Sequence, residues 1–315
     1  MFESFENVLD AFFICVLIAS VIAWIWLAQT RIAKRLPLVE PEGRRRPFWT
    51  FAEFFVCFGL FIVCTGAAQS FGQRWMSPET TERLEAGTFS MAELPASDMT
   101  RIILMSSLAS ALAMTSVMVW MNFTNVRQLK LYGILPNWDD VKLGAKTSFL
   151  VLPPVLLIST VIDSLIKYEH PVLDTIGLEP TGWSLFMLAV TTILWTPMFE
   201  EFTFRVLLQG GAEQFTRRLA ANAQKEPPVP QRDVDYINPE EVTTWSWWPV
   251  VMSSGTFAVL HLGQGGAAVP LFFLAIALGY LYRQTGRLGP SLVVHLALNA
   301  FTMIVATMNM FLGEK

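Results

Sequence analysis

The chain reads as an all-α, polytopic membrane protein, a bundle of about eight transmembrane helices. Three observations lead there. Of its 315 residues 53% are hydrophobic and 15% charged, with a mean hydropathy of +0.45, whereas soluble domains carry about 25% charged residues. Apolar runs long enough to cross a hydrocarbon core of about 30 Å recur along the whole length. The charges of the connecting segments alternate loop by loop. A bundle of this size is expected to be one unit, a single transmembrane domain over 1–315.

Taken in order, the spans are expected at 8–29, 49–71, 101–123, 144–165, 183–209, 246–262, 268–284 and 289–312. The first follows "MFESFENVLD", which is acidic and lacks the positive n-region of a secretory signal, so it is read as a retained span. Between spans, residues 30–48 carry Arg31, Lys34, Arg35, Arg44, Arg45 and Arg46, and 124–143 carry Arg127, Lys130 and Lys142. Residues 210–245 carry Arg217, Arg218, Lys225 and Arg232, and 285–288 carry Arg287. The alternate loops differ: 72–100 is acid-rich (Glu79, Glu82, Glu85, Glu93, Asp98), 166–182 holds one lysine, and 263–267 has no charge. Positive loops stay cytoplasmic. Both termini are therefore expected on the non-cytoplasmic side, most simply of a bacterial cell membrane. Trp245, Trp247 and Trp248 read as interfacial anchors after a proline-rich loop.

Composition also excludes some functions. The net charge of −4 and the lack of a basic, aromatic-interleaved patch give no sign of nucleic-acid binding. Cys15, Cys57 and Cys64 fall in apolar runs and form no C-x-x-C pair, so they read as buried apolar side chains. The lipid bilayer is the one partner that composition demands.

Ionisable groups inside spans are rare and mark functional sites by default. Asp10, Glu53 and Asp163 lie near span ends and read as interface residues, and His170 reads as a loop residue. The remaining set is different. Glu200, Glu201 and Arg205 lie in the fifth span, His261 near the end of the sixth, and His295 and Asn299 in the eighth. Residues four apart share a helix face. Glu201 can pair with Arg205, Phe257 lies one turn before His261, and His295 one turn before Asn299. Glu200 is rotated about 100° from its neighbour and lacks that partner. Pro197 removes a helical N–H just ahead of the pair and is expected to kink the span. The spacing alone leaves open whether these groups staple helices or converge on one site.

The residues also match a family pattern. "EEFTFR" fits E-E-x-x-x-R, "FAVLH" fits F-x-x-x-H, and "HLALN" fits H-x-x-x-N, in that order. Over roughly 183–305 the chain resembles the CPBP family of intramembrane proteases, which includes CAAX prenyl endopeptidases and bacteriocin-processing proteins. Where the family often has glycine after the motif arginine, this chain has Val206, a change that bears on local packing. The resemblance implies an endopeptidase whose core is 183–305. Glu200 would be the base that activates a water, and His261 would hold or polarise that water. His295 and Asn299 would stabilise the oxyanion, with Glu201, Arg205 and Phe257 in support. It implies a peptide or membrane-associated protein as substrate, and no cofactor. No serine or cysteine stands out as a nucleophile and no G-x-S-x-G occurs, so direct attack by water is the simpler chemistry.

Zinc held by the two histidines and a glutamate is the alternative chemistry, although no H-E-x-x-H is present. A transporter or proton relay using the buried Glu and His, and a non-catalytic membrane scaffold, are the other two readings. Helix rise puts the three motifs at unequal depths, about 12 Å from Arg287 for His295, about 20 Å from Trp248 for His261 and about 15 Å from Gly210 for Glu200. All lie in the half nearer the basic loops.

Overall fold

The computed structural model describes residues 2–86, 95–124, 133–166, 182–224, 236–244 and 246–313. His170, Trp245, Arg127, Lys130, Lys225, Arg232 and Glu93 lie outside them.

The described residues are almost wholly helical. Helix α1 (Phe2–Leu27) runs on into one π-type turn (Ala28–Ile32). A strap then leads to α2 (Phe51–Gly72), followed by the short α3 (Pro78–Glu85), α4 (Ala96–Thr124) and α5 (Trp138–Leu165). Next comes a continuous helical rod: α6 (Gly182–Val190), a π stretch (Thr191–Trp195), α7 (Thr196–Glu201), a second π stretch (Phe202–Gln209) and α8 (Gly210–Gln224). The chain closes with α9 (Pro239–Thr244), α10 (Trp248–Leu260), a 3₁₀ connector (Leu262–Ala267), α11 (Ala268–Thr285) and α12 (Leu288–Gly313).

Among the described residues seven helices are long and apolar enough to cross a membrane, and α10 is a shorter apolar one. The predicted sixth span, 246–262, is this shorter helix: α10 has 13 residues, about 20 Å of rise, and leads into the 3₁₀ connector. Gly265 in that turn has φ +64° and ψ −129°, a backbone that only glycine adopts readily. Irregular backbone at this depth is tolerated where it packs on protein or lines a cavity. Here Gly266 sits against Ile162 of α5, and Gln264 faces a cavity.

Local chemistry explains the helix ends. Asn137 caps α5, accepting from the N–H groups of Asp139 and Asp140, while its own N–H donates to the Asp140 carboxylate. Glu53 was read as an interface residue; its carboxylate accepts from the N–H and hydroxyl of Thr50 at the start of α2. Gly286, at φ +64°, ends α11 and donates to the carbonyl of Tyr282. Within α5, Pro154 cannot donate to the carbonyl of Leu150. The Trp24 indole N–H fills that role at 2.9 Å, pinning α1 to α5.

One end of the bundle is tied together by the strap before α2. Val39 and Glu42 bond to Tyr280 and Gln284 of α11. Arg44–Arg45 pair antiparallel with Tyr236–Ile237. Arg44 also reaches Glu213 of α8 at 2.6 Å, and Arg287 joins Glu42 to Asp140 of α5. At the opposite end, buried Asp98 of α4 accepts from Ser77 and Thr80 beside α3. The main core lies between α2, α4, the rod and α10 (Cys57, Val117, Phe202, Leu207, Phe257). A second cluster joins α5, α11 and α12 (Val155, Leu274, Leu278, Val294).

Candidate active site

The rod carries the E-E-x-x-x-R motif at its most irregular stretch. In the first π stretch the N–H of Thr196 bonds the carbonyl of Thr191, five residues back. The next donor in that register would be Pro197, which has none. The carbonyl of Thr192 is therefore left over, and the Asn299 side-chain N–H of α12 satisfies it at 2.8 Å. Proline thus creates the vacancy that fastens α12 to the rod one helical turn beyond His295.

Beyond that junction the two glutamates separate. Glu201 is fully buried. Its Oε2 accepts from Arg205 Nε at 3.1 Å, one turn on, as the spacing predicts. Its Oε1 accepts from His295 Nδ1 at 3.0 Å across to α12. Arg205, also fully buried, donates from Nη1 to Ser253 Oγ of α10 at 3.3 Å, and that hydroxyl donates to the carbonyl of Phe204. The guanidinium lies 5.6 Å from the centre of the Phe257 ring. Two opposite charges and a polar hydroxyl thus meet where neither charge reaches water, which is how a buried ion pair avoids an uncompensated desolvation penalty.

Glu200 points the other way, as its rotation on the helix predicts. Its carboxylate is 17% exposed. Oε1 stands 3.6 Å from His261 Nε2, and Oε2 stands 3.5 Å from His295 Nε2. Both gaps exceed ordinary hydrogen-bond length, a spacing that a bridging water fits. Each histidine is held by its other nitrogen. His261 Nδ1 lies 2.7 Å from the carbonyl of Phe257. That carbonyl is free because α10 ends in a tightened turn, in which the His261 N–H bonds Ala258 and Val259 instead. His295 Nδ1 is held by Glu201. With both Nδ1 atoms donating, both Nε2 atoms turn to Glu200. The Phe257 ring packs between the two imidazoles, with centroids 4.4 Å from His261 and 6.0 Å from His295.

The structure therefore brings together Glu200, His261 and His295 directly, with Glu201, Arg205 and Phe257 behind them. Asn299 lines the same cavity as Glu200 and both histidines, with its amide committed to Thr192 on one side. Val206, in the place of the motif glycine, is buried, and its carbonyl accepts from the Trp49 indole at 2.6 Å.

Sequence reasoning missed two partners. The first is the second bond of Glu201, for which spacing within one helix carries no signal. The second is Ser253, which had a signal: Ser253, Phe257 and His261 recur every four residues along one face of α10.

The site opens into a cavity of about 710 Å³. Apolar side chains of α1, α5 and α12 form most of its walls, Leu17, Leu156, Leu298 and Phe301 among them. Among the described residues no group of three or more His, Cys, Asp or Glu side chains is placed to hold a metal ion.

Residues 182–301 match the model of a family described as type II CAAX prenyl endopeptidase Rce1-like. This stretch is similar to that family. It holds Glu200, Glu201, Arg205, Phe257, His261, His295 and Asn299, and it coincides closely with the resemblance read from the three motifs. The first four spans lie outside it. No curated protein and no solved structure matches the chain. The Rce1-like segment thus places an endopeptidase family's motifs inside a multi-pass helical membrane protein.

Proposed function

We propose that this protein is an intramembrane endopeptidase that hydrolyses a peptide bond with a water activated by Glu200. One observation carries the reading: both oxygens of Glu200 face histidine Nε2 atoms across gaps of 3.5 and 3.6 Å in the wall of a largely apolar cavity. A water held there donates one hydrogen to Glu200 and the other to His261 Nε2. Its oxygen attacks the scissile carbonyl carbon while Glu200 takes a proton. His295, held by Glu201, stabilises the developing oxyanion from its Nε2 side, together with the second N–H of Asn299. As the C–N bond breaks, Glu200 returns its proton to the departing amine. The carboxylate behind an imidazole fixes its orientation, the same division of labour used in other hydrolases. The substrate is a peptide segment of a membrane-associated protein.

Zinc catalysis, the alternative chemistry, would take Glu200, His261 and His295 as its ligands. Water activation by Glu200 alone is the reading proposed.

The test compares wild-type protein with Glu200→Gln in nanodiscs, against a panel of membrane-associated peptides. Loss of cleavage in a variant that elutes and melts like wild type supports the reading. Full activity in Glu200→Gln overturns it. Activity abolished by a chelator and restored by zinc would return the metal mechanism.

A further inference from the structure

We infer that Ser253 of α10 is a positioning residue of the reaction: its hydroxyl pins α10 to the rod and so sets where His261 stands relative to Glu200. This rests on the endopeptidase reading and adds to it a residue outside the three motifs. Ser253 is fully buried and does not line the cavity. It therefore touches neither substrate nor attacking water, and acts through other side chains.

Helix α10 runs past the rod in the opposite sense and meets it at successive heights. At its start the Trp248 indole donates to Thr216 Oγ1 of α8 at 2.7 Å. At its end His261 Nε2 stands 3.6 Å from Glu200 Oε1. Ser253 lies between them, on the face that carries Phe257 and about 12 Å before His261. Its oxygen accepts from Arg205 Nη1 at 3.3 Å, and its hydrogen goes to the Phe204 carbonyl at 2.8 Å. One hydroxyl thus fastens α10 to a side chain and to the backbone of the rod. One turn on, the Phe257 ring meets the Phe204 ring edge-on, with centroids 5.2 Å apart.

The hydroxyl supplies what ring packing does not. Apolar surfaces are non-directional and tolerate small shifts, whereas a hydrogen bond holds a narrow range of length and angle. The Phe204 carbonyl belongs to the second π stretch of the rod. Ser253 holds α10 to that irregular turn, one turn beyond Glu200. At the reacting end the tolerance is small, since reacting atoms must stand about 3–3.5 Å apart and a misplacement of about 1 Å costs about 10² in rate. A second route runs from Ser253 through Arg205 and Glu201 to His295. It is the better protected one, because Glu201 keeps its own bonds to Arg205 Nε and His295 Nδ1 at 3.1 and 3.0 Å. The effect of losing the hydroxyl is therefore expected at His261.

Ser253→Ala removes the hydroxyl and keeps a good helix former, and is compared with wild type in nanodiscs. For peptide cleavage kcat should fall about 10–10²-fold while KM stays within about twofold. Adding Ser253→Ala to His261→Phe should cost less than about twofold more, because the nitrogen that Ser253 places is already gone. Losses that multiply in the double variant overturn the inference, as does an unchanged kcat in a protein that only melts earlier. A second readout needs no catalysis. In nitrogen NMR of isotope-labelled histidine, with His261 assigned by its absence from His261→Phe, Glu200→Gln should move the His261 Nε2 signal. Ser253→Ala should move it too, and leave in place the Nδ1 signal that the Phe257 carbonyl holds. A wild-type Nε2 signal in Ser253→Ala, or movement confined to His295, overturns the inference. If Ser253→Ala does not fold, Ser253→Cys, with its weak S–H donor, carries both comparisons. Cleavage retained in Glu200→Gln overturns the endopeptidase reading and leaves the NMR comparison intact, so a wrong pin and a wrong chemistry give different results.

Discussion

Replacing Glu201 with glutamine separates two roles that one side chain performs. Oε1 and Oε2 of Glu201 accept from His295 Nδ1 and Arg205 Nε at 3.0 and 3.1 Å, in a setting where Glu201 and Arg205 are fully buried. Glutamine keeps the shape but removes the charge, and turns one acceptor into a donor facing another donor. Arg205 Nη2 already lacks a partner among the described residues, so the guanidinium has no alternative counter-charge in reach. Removing one member of a buried pair typically costs about 3–5 kcal/mol. Glu201→Gln is therefore expected to lose stability of that order. It should also lose about 10²–10³ in kcat, the usual effect of a lost oxyanion donor, because His295 is no longer held in register.

The double variant Glu201→Gln/Arg205→Met distinguishes the two effects. It removes the orphaned charge, and Ser253 keeps its bond to the Phe204 carbonyl. Stability should return toward wild type while kcat stays low, since His295 is still without its carboxylate. Thermal unfolding in detergent, followed by tryptophan fluorescence, reads the first quantity, and single-turnover peptide cleavage in nanodiscs reads the second. Wild-type melting and wild-type kcat in Glu201→Gln would refute the reasoning. So would recovery of activity in parallel with stability in the double variant.

Other substitutions probe separate parts of the site. His261→Phe keeps the ring stacked beside Phe257 but removes the nitrogen facing Glu200; cleavage should fall by about 10² or more while the melting curve stays close to wild type. Asn299→Leu leaves the Thr192 carbonyl without a donor and should cost about 1–3 kcal/mol. Adding Pro197→Ala restores the missing backbone N–H and should recover part of that loss in the same melting assay. Gly265→Ala forces a side chain into a conformation of positive φ, with an expected cost of about 1–3 kcal/mol. Because that turn ends the hairpin carrying His261, kcat should fall with it.

Much of this was legible in the residues themselves. The spans, the alternation of loop charge and the three motifs were all readable, because hydrophobic length and i, i+4 spacing are local properties. The pairing of Glu201 with Arg205 and the separate direction of Glu200 followed from helix geometry alone. The expected span 246–262 overran α10 by two residues at each end; the helix stops where the backbone of His261 leaves helical geometry, and hydropathy does not register that. The grip of Glu201 on His295 was illegible for a different reason. It joins residues 94 apart in sequence, and nothing within either helix specifies the register of the other. The bond from Asn299 to Thr192 lies between these cases. Pro197 announced a backbone vacancy, but which side chain would fill it depended on the packing of α12.

The two halves of the chain divide the work unevenly. All residues proposed to face the scissile bond come from the segment that matches the Rce1-like family model, on the rod, α10 and α12. The walls along which a substrate must lie come in large part from elsewhere, with Leu17 on α1 and Pro153 through Asp163 on α5. Helix α1 holds to α5 through Trp24 and Leu150, at the place where two consecutive prolines have loosened that helix. A chemistry fixed by six buried or half-buried side chains can thus be combined with walls that change without disturbing it. Glu201 holds Arg205 and His295 through bonds of 3.1 and 3.0 Å, whereas the wall residues answer mainly to apolar contact, which tolerates substitution of similar volume. Substrate choice is therefore expected to follow α1 and α5. Exchanging Leu17 and Leu156 for phenylalanine should shift which peptides are cut, read as kcat/KM across a panel, while leaving the dependence on Glu200 intact. A uniform fall in kcat/KM for every peptide would instead mean that these walls position the catalytic groups.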